Sequence, residues 1–247
     1  VNVPIIFGYG DKGDLEFLTK ISLQIRDDSF LKEKHLVAFP NVIDLRKFES
    51  FQIDSSVSRS KKTTLLYFGI LGERRGIFDA ISAVKKGIEK GLNIKLILIG
   101  PVDKMDKERF DKAIKEDLIR ESIEHVPWIH LSQLVTYMHN SDILLSPLHK
   151  NKQHESGVAN KIYQYMFGKK PLIVSNCKPQ RELVEGFNCG LSYSSQEEFV
   201  SCITRLYENP ELREEMGSNG FNKLYENYDN AQFENKLINV YKDLLIG

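Results

Sequence analysis

Short apolar runs that alternate with helical patterns are the sequence feature that most constrains the fold. From residue 65 onward the sequence has six strand-like runs of four to six residues, and all but the third and the last carry apolar side chains at most positions, not only at every second one. These runs are residues 65–68, 94–99, 123–126, 143–147, 171–175 and 190–193. Strands that are apolar on both faces are typical of parallel sheets covered by helices on both sides. The sequence therefore predicts an α/β fold with a doubly wound, Rossmann-like parallel sheet.

Helical spacing fills the intervals between these runs. Ile77, Ile81, Val84 and Ile88 lie on one face of a predicted helix. Further helices are predicted at about residues 104–121, 131–138, 161–167, 196–208, 210–218 and 231–245, with a turn or helix from residue 182. We expect Gly168 to end the helix at 161–167 in the left-handed conformation, which costs glycine little.

The first 62 residues follow a different pattern. Strand-like runs at residues 3–7 and 35–39 precede a polar, serine-rich stretch at 48–62 that has no period. We predict that residues 1–47 end one domain and cross over, 48–62 are a linker, 63–230 form the main domain, and 231–247 return as a helix towards the first domain. Because the sequence opens on Val1 within an apolar run, we expect that part of the first domain lies outside it.

Composition limits the classes of partner and compartment. The chain carries 34 basic and 34 acidic side chains without a basic cluster, which argues against nucleic acid as a partner. Its three cysteines lack metal-ligand spacing and favour a reducing, cytoplasmic compartment without disulfides. No apolar run reaches the roughly 18–20 residues that a membrane span needs.

One candidate ligand site is the loop at residues 69–76, because ligands of doubly wound sheets bind beyond the carboxyl ends of strands. Gly69 and Gly72 allow the backbone to approach a ligand closely, and Arg75 offers a bidentate fork for a diphosphate. The alternative is a tight turn with solvent-facing arginines. The glycine spacing matches neither the dinucleotide fingerprint nor a P-loop.

The second candidate site is the loop at residues 155–161, which leads into a predicted helix. Lys161 stands at the helix start, where backbone N–H groups and the helix dipole favour an anion. Gln164 shares the face of Lys161 and could reach a sugar hydroxyl. The alternative is an ordinary connection with a solvated lysine and amide. None of the six histidines has metal-ligand spacing, so no metal site is predicted. His154, next to Glu155 in a glycine-containing loop, is interpreted as a surface residue, with a role in a site as the alternative.

The order of these features resembles the C-terminal half of family-4 retaining glycosyltransferases, which have the two-domain GT-B architecture. The resemblance covers roughly residues 36–245 and rests on the segments at 40–44, 67–76, 99–101, 142–147 and 160–173. The last segment is the most specific. Its start, Asn-Lys-Ile-Tyr-Gln-Tyr-Met, is similar to the family's Asn-Lys-Leu-Phe-Glu-Tyr-Met.

The resemblance implies that the donor is a nucleotide-diphosphate sugar and that no cofactor or metal is used. Arg75 and Lys161 would stabilise the diphosphate and are the catalytic candidates, and Gln164 stands where the family holds the ribose. The implied donor-binding set is Gly69, Gly72, Arg75, Gly76, Val126, Pro127, Ser156, Gly157, Val158, Asn160, Lys161 and Gln164. The other implied partner is an acceptor sugar, glycan or lipid-linked glycan, with peripheral contact at the inner face of the membrane as an option.

This sequence departs from the family pattern at three positions. Ile70 replaces an arginine of the first loop, and Ser156 and Gln164 stand where the family often has two glutamates. A neutral amide is a weaker hydrogen-bond acceptor than a carboxylate. Glu155 could replace the glutamate missing at Ser156 only through a one-residue shift.

Three functions therefore remain open at this point. The first is a metal-independent, retaining glycosyltransferase of which residues 63–230 are the donor-binding domain. The second is a sugar-nucleotide epimerase of the related two-domain fold, although no carboxylate pair stands where acid–base chemistry would need it. The third is a non-catalytic nucleotide-binding or scaffold protein with a degenerate site. The sequence does not indicate the sugar, the base or the acceptor.

Overall fold

Six parallel strands form one sheet in the part of the chain that the computed structural model describes, which is residues 43–229, 233–235, 238–239 and 242. The strands are β1 (Thr63–Phe68), β2 (Ile94–Ile99), β3 (Ile123–Val126), β4 (Ile143–Ser146), β5 (Leu172–Ser175) and β6 (Gly190–Tyr193). Their order across the sheet is β3-β2-β1-β4-β5-β6, and every neighbouring pair is parallel. The predicted doubly wound, parallel sheet is confirmed.

The strand order reverses between β1 and β4. The chain passes from β1 outward to β2 and β3, and β4 then pairs with the other side of β1, where Leu65 faces Ile143. At such a switch point the loops that leave the two strands diverge, and a crevice opens beyond their carboxyl ends. The loops at residues 69–76 and 147–159 both leave from this point, so the two candidate loops are neighbours.

Helices pack on both faces of the sheet. They are α1 (Leu45–Glu49), α2 (Ile77–Glu89), α3 (Lys107–Ala113), α4 (Leu134–His139), α5 (Asn160–Phe167), α6 (Lys178–Gly186), α7 (Gln196–Glu208) and α8 (Pro210–Asn227). Successive strand residues point to opposite faces. Leu65 accordingly belongs to the apolar core that contains Ile77 of α2, whereas Leu66 belongs to the core that contains Ile162 of α5.

The long charged helix predicted at residues 104–121 is wrong. A 3₁₀ turn, Lys104–Asp106, leads into α3, which ends at Ala113. The chain then turns back, with the N–H of Ile119 donating to Glu116 and the N–H of Ser122 donating to Ile119. This turn buries the Ile119 side chain completely and delivers the chain to β3. Tertiary burial of one side chain outweighs the local helical tendency here.

Two expectations about helix ends are also corrected. Gly168 remains in the right-handed helical region with φ −68°, and Lys169 adopts the left-handed conformation with φ +53°. α8 continues to Asn227, beyond the predicted end at residue 218. A Cβ on Gly217 would lie 2.3 Å from the carbonyl oxygen of Lys169. The lack of a side chain at Gly217 thus allows α8 to pack closely against the turn after α5.

The sequence also did not predict α1, which begins where Asp44 accepts a hydrogen bond from the N–H of Lys47. Phe48 in this helix is buried against Phe51 and Phe167, although it opens the stretch predicted as a linker. The strand-like runs at residues 3–7 and 35–39 lie outside the described residues. The predicted helix at 231–245 is described at 233–235, 238–239 and 242, all of which are helical. The division into domains stays a prediction.

Candidate functional site

Gly76 brings the loop after β1 against the loop after β4. A 3₁₀ turn, Glu73–Arg75, precedes Gly76, which has φ +71° at the start of α2. A Cβ on Gly76 would lie 1.7 Å from the carbonyl oxygen of Pro147, so no side chain fits. The N–H of His149 also donates to the carbonyl of Arg74 at 3.1 Å. The two loops are therefore in direct backbone contact.

Lys161 projects from the first turn of α5 over the end of β1. Its Nζ lies 3.8 Å from the centre of the Tyr67 ring and 3.5 Å from where a Cβ of Gly69 would be. This Nζ is buried and has no hydrogen-bond partner among the described residues. Burial, and secondly the charge of Arg75, lower the pKa of Lys161 well below 10.5. A buried cation without an acceptor is costly, and an anion in the crevice would provide that acceptor.

Arg75 adds a second positive charge to the crevice. Its Nη1 lies 3.2 Å from Nε2 of His154, and its Nε is buried with no hydrogen-bond partner in the described part of the chain. The charges of Arg75 and Lys161 lie close enough for Arg75 to lower the pKa of Lys161. Two cations held together in this way favour a ligand with at least two anionic oxygens.

Two buried tyrosines fix the end of β1 beneath the crevice. The hydroxyl of Tyr67 donates to the carbonyl of Ile70 at 3.0 Å, and the hydroxyl of Tyr165 accepts from the N–H of Phe68 at 2.7 Å. Burial raises the pKa of both tyrosines, so they remain protonated. Tyr67 thus offers Lys161 a neutral aromatic face, which attracts a cation.

The loop after β4 is organised around His154. Oδ1 of Asn151 accepts from the N–H of His154 at 2.9 Å, and Nδ1 of His154 lies 2.7 Å from the carbonyl oxygen of His149. His154 is only 5% exposed, so its interpretation as a surface histidine is wrong. Its neighbours along the chain are polar and exposed, so no local pattern signals the burial. The fold of the loop itself encloses this side chain.

The structure places the predicted site residues on four segments. Gly69, Gly72, Arg75 and Gly76 lie in the loop after β1; Ser156, Gly157 and Val158 precede α5; Asn160, Lys161 and Gln164 lie in α5. Arg75 and Lys161 are brought together, whereas Val126 and Pro127 lie at the end of β3, with β2 between them and β1. The side chain of Val158 is buried in the core, so only its backbone is available to a ligand.

Glu155 occupies a position that a one-residue shift would give to a family glutamate. Its Oε1 accepts a hydrogen bond from the N–H of Lys178 at 3.1 Å, at the start of α6. Ser156 is exposed, and its hydroxyl donates to the carbonyl of Gln153. The Glu155 carboxylate therefore caps α6, while Ser156 stabilises its own loop.

A family comparison agrees with this arrangement of loops. Residues 48–223 match the family described as glycosyl transferases group 1. The chain belongs to the group 1 glycosyltransferases. The matched region contains all six strands and both loops of the crevice. The resemblance found in the sequence is confirmed.

Comparisons with single proteins extend over most of the chain. The capsular polysaccharide biosynthesis glycosyltransferase CapM of Staphylococcus aureus is 22% identical over 211 residues, covering 81% of this chain and 53% of CapM. The chain spans about half the length of the curated relatives it matches.

Solved structures of other glycosyltransferases share the fold. Sucrose-phosphate synthase from Thermosynechococcus elongatus has a TM-score of 0.74 at 15% identity, covering 98% of this chain and 58% of that chain. TarM of S. aureus, solved with UDP among its ligands, has a TM-score of 0.72 at 13% identity, covering 96% of this chain and 43% of TarM. At these identities the likeness shows the shared fold.

The described residues contain neither a membrane-spanning helix nor a cluster of metal-binding side chains. No helix there combines the length and apolar character needed to cross a membrane. In the same ranges, no group of three or more histidine, cysteine, aspartate or glutamate side chains is arranged to hold a metal.

Proposed function

We propose that residues 63–230 are the donor-binding domain of a retaining, metal-independent glycosyltransferase that takes its sugar from a nucleotide diphosphate. One observation carries this proposal. Nζ of Lys161 and Nε of Arg75 are buried without acceptors, within the described residues, beside one crevice at the switch point of the sheet. A diphosphate would supply the missing acceptor oxygens and the opposite charge.

In this mechanism the protein stabilises the departing nucleotide diphosphate. Negative charge grows on the diphosphate as the bond to the sugar breaks, and fixed positive groups lower the energy of that state. Lys161 would act as a point charge and Arg75 as a two-pronged donor. Among the described residues no side chain caps the N-terminus of α5, so its first N–H groups are also available to phosphate oxygens.

The remaining donor contacts belong to the same proposal. Gln164, half-buried one turn after Lys161, would hydrogen-bond a ribose hydroxyl through its amide. The base would lie near Val126 and Pro127, at the carboxyl end of β3. The acceptor (a sugar, a glycan or a lipid-linked glycan) would be bound by the rest of the protein.

The relatives guide the choice of probe and process. TarM was solved in complex with UDP, which makes UDP the first nucleotide to test. CapM is named for capsular polysaccharide biosynthesis, so we propose polysaccharide or glycoconjugate biosynthesis as the setting. A cytoplasmic location, with peripheral contact at the inner face of the membrane, is part of the proposal.

Nucleotide binding to the full-length protein tests the donor site. Among UDP, GDP, ADP and dTDP, we expect at least one to bind in isothermal titration calorimetry. Arg75→Ala and Lys161→Ala should each weaken that binding by about 2 kcal/mol, the scale of a charge-assisted hydrogen bond. Arg74→Ala and Lys152→Ala are matched controls, because both side chains are exposed in the same loops.

The alternatives predict other results. If none of the four nucleotides binds, the donor site is absent and a non-catalytic role gains support. Conversion of a nucleotide sugar to its epimer without an acceptor would indicate the epimerase. For the transferase, NMR of the product should show the anomeric configuration of the donor, and a metal chelator should leave the rate unchanged.

A further inference from the structure

The imidazole of His154 contacts the guanidinium of Arg75. Its Nε2 lies 3.2 Å from Nη1 of Arg75, and the imidazole is almost fully buried. Neither the donor-binding set nor the mechanism above includes this residue. It lies beside Arg75, one of the two residues proposed to bind the diphosphate, and this position calls for a physical explanation.

The hydrogen bonds of the imidazole determine which nitrogen carries the proton. Nδ1 lies 2.7 Å from the carbonyl oxygen of His149, and a carbonyl oxygen can only accept. Nδ2 of Asn151 lies 2.9 Å from Nδ1 and 3.2 Å from the same carbonyl oxygen, to which it can donate instead. The guanidinium of Arg75 can only donate, so the Nε2 that it contacts must be the acceptor. Nδ1 of His154 therefore carries the hydrogen in the neutral ring. The lone pair of Nε2 faces Arg75 and accepts its N–H.

The surroundings of His154 oppose a positive charge on the ring. Arg74 and Arg75 face it from the loop after β1, and Lys161 faces it from α5. Burial is the main cause that lowers the pKa of His154 below 6.5; the three cations add to the effect, and the His149 carbonyl acts against it. Glu155, the next residue, binds the start of α6.

We propose that His154 is a positioning residue for the donor site. Its neutral imidazole accepts a hydrogen bond from Arg75 and holds the guanidinium towards the crevice. This inference rests on the proposed function, since it concerns the diphosphate contact of Arg75. Protonation of Nε2 would replace the acceptor with a donor and a positive charge, and Arg75 would then be released. Binding of the nucleotide therefore weakens as the pH falls through the pKa of His154.

NMR tests the pair of side chains without any nucleotide. Imidazole nitrogen shifts should show Nε2 unprotonated at pH 8. In Arg75→Gln the pKa of His154 should rise, because the nearest positive charge is removed while a donor remains. Arg74→Gln, the control, should cause a smaller rise. A proton on Nε2 at pH 8, or an unchanged pKa in Arg75→Gln, would overturn the assignment.

UDP affinity tests the positioning role. His154→Leu, which removes the acceptor, should weaken UDP binding about tenfold. His154→Gln places an amide oxygen near the position of Nε2 and should retain affinity within about threefold. The wild-type affinity should fall below pH 6.5, whereas that of His154→Gln should change less with pH.

A double-mutant cycle separates positioning from a general structural role. If His154 acts through Arg75, the double variant Arg75→Ala/His154→Leu should bind UDP no more weakly than Arg75→Ala alone. Additive losses would show that His154 supports the fold rather than Arg75. Undiminished binding by His154→Leu would overturn the inference and leave the proposed function intact, whereas a wild-type protein that binds no nucleotide would overturn the proposed function itself.

Discussion

Among single residues, Lys161 shows the most direct conflict between the stability of the fold and the binding of a ligand. Its buried ammonium rests on Tyr67 without a hydrogen-bond acceptor among the described residues. Methionine has a similar length and packs well against aromatic rings. We therefore expect Lys161→Met to raise the free energy of unfolding by about 1 kcal/mol and to weaken UDP binding.

Urea denaturation of the free protein measures this effect on stability. The control Lys152→Met replaces an exposed lysine and should stay within about 0.5 kcal/mol of the wild type. If Lys161→Met is less stable than the wild type, the attraction between the ammonium and the Tyr67 ring outweighs the cost of burial.

The lowered pKa of Lys161 also predicts proton uptake on binding. A diphosphate beside Nζ favours the charged form, so the pKa of Lys161 rises in the complex. Between the pKa values of the free and bound states, binding takes up a proton, and affinity falls as the pH rises through the bound-state value. Calorimetry over a series of neutral to alkaline pH values, each in buffers of different ionisation enthalpy, should detect this uptake. An equal uptake in Lys161→Met would assign it to another group.

The sequence predicted some site residues better than others for a physical reason. Arg75 and Lys161 follow local rules, because a basic residue at the start of a helix after a glycine-containing loop is visible within about ten residues. His154 follows no such rule. Its partner Arg75 is 79 residues away, and its burial depends on the shape of an irregular loop. The departure at Gln164 is visible in the sequence, but its contacts with a ligand are not.

At the level of elements, the contact between Gly76 and Pro147 holds the two loops of the crevice together. Gly76→Ala combines a left-handed backbone with a Cβ that would lie 1.7 Å from a carbonyl oxygen. We expect Gly76→Ala to lower the free energy of unfolding, measured by heat or urea, by more than about 2 kcal/mol.

Two other glycines separate strain from crowding. Gly91 has φ +87° but open space around the position of a Cβ, so Gly91→Ala should lower the free energy of unfolding by only about 1 kcal/mol. Gly186 has neither a left-handed backbone nor a close neighbour, so Gly186→Ala should leave the free energy of unfolding unchanged or raise it slightly. If Gly76→Ala costs no more than Gly91→Ala, the loop after β4 moves away from α2 without penalty.

Elements were predictable where one periodic pattern extends over the whole element. The strands β1, β2, β4 and β5 and helix α2 are of this kind, because most of their apolar positions are buried in the two cores. In β3 and β6, Ile123, Val126 and Leu191 are only partly buried against these cores. The ends of α3 and α8 are different. Burial of Ile119 ends the predicted helix early, and close packing at Gly217 continues a helix past its apparent stop. Both outcomes depend on contacts distant in sequence.

For the whole molecule, Asp142 joins the segment before the sheet to the sheet itself. Its carboxylate, in a residue that is 7% exposed, accepts the N–H of Thr64 at 2.8 Å and pairs with Arg59. Asp142→Ala would leave the buried N–H of Thr64 without a partner. We expect the free energy of unfolding to fall by about 2–3 kcal/mol and amide hydrogen exchange near Arg59 to become faster.

Hydrogen exchange and urea unfolding measure both parts of this prediction. The control Asp117→Ala removes an exposed carboxylate, 95% accessible, and should change stability by less than about 0.5 kcal/mol. Unchanged exchange near Arg59 in Asp142→Ala would show that other contacts, such as the bond from Asp54 to Thr136, hold this segment.

The position of β4 beside β1 has a consequence for the time course of folding. β4 pairs with β1 across the length of chain that contains β2 and β3, and this pairing brings the two loops of the crevice together. Contacts between such distant segments form slowly, because chain entropy is lost before the contacts can compensate for it. The ability to bind a nucleotide would therefore arise late in refolding, after the β1–β2–β3 half of the sheet has formed.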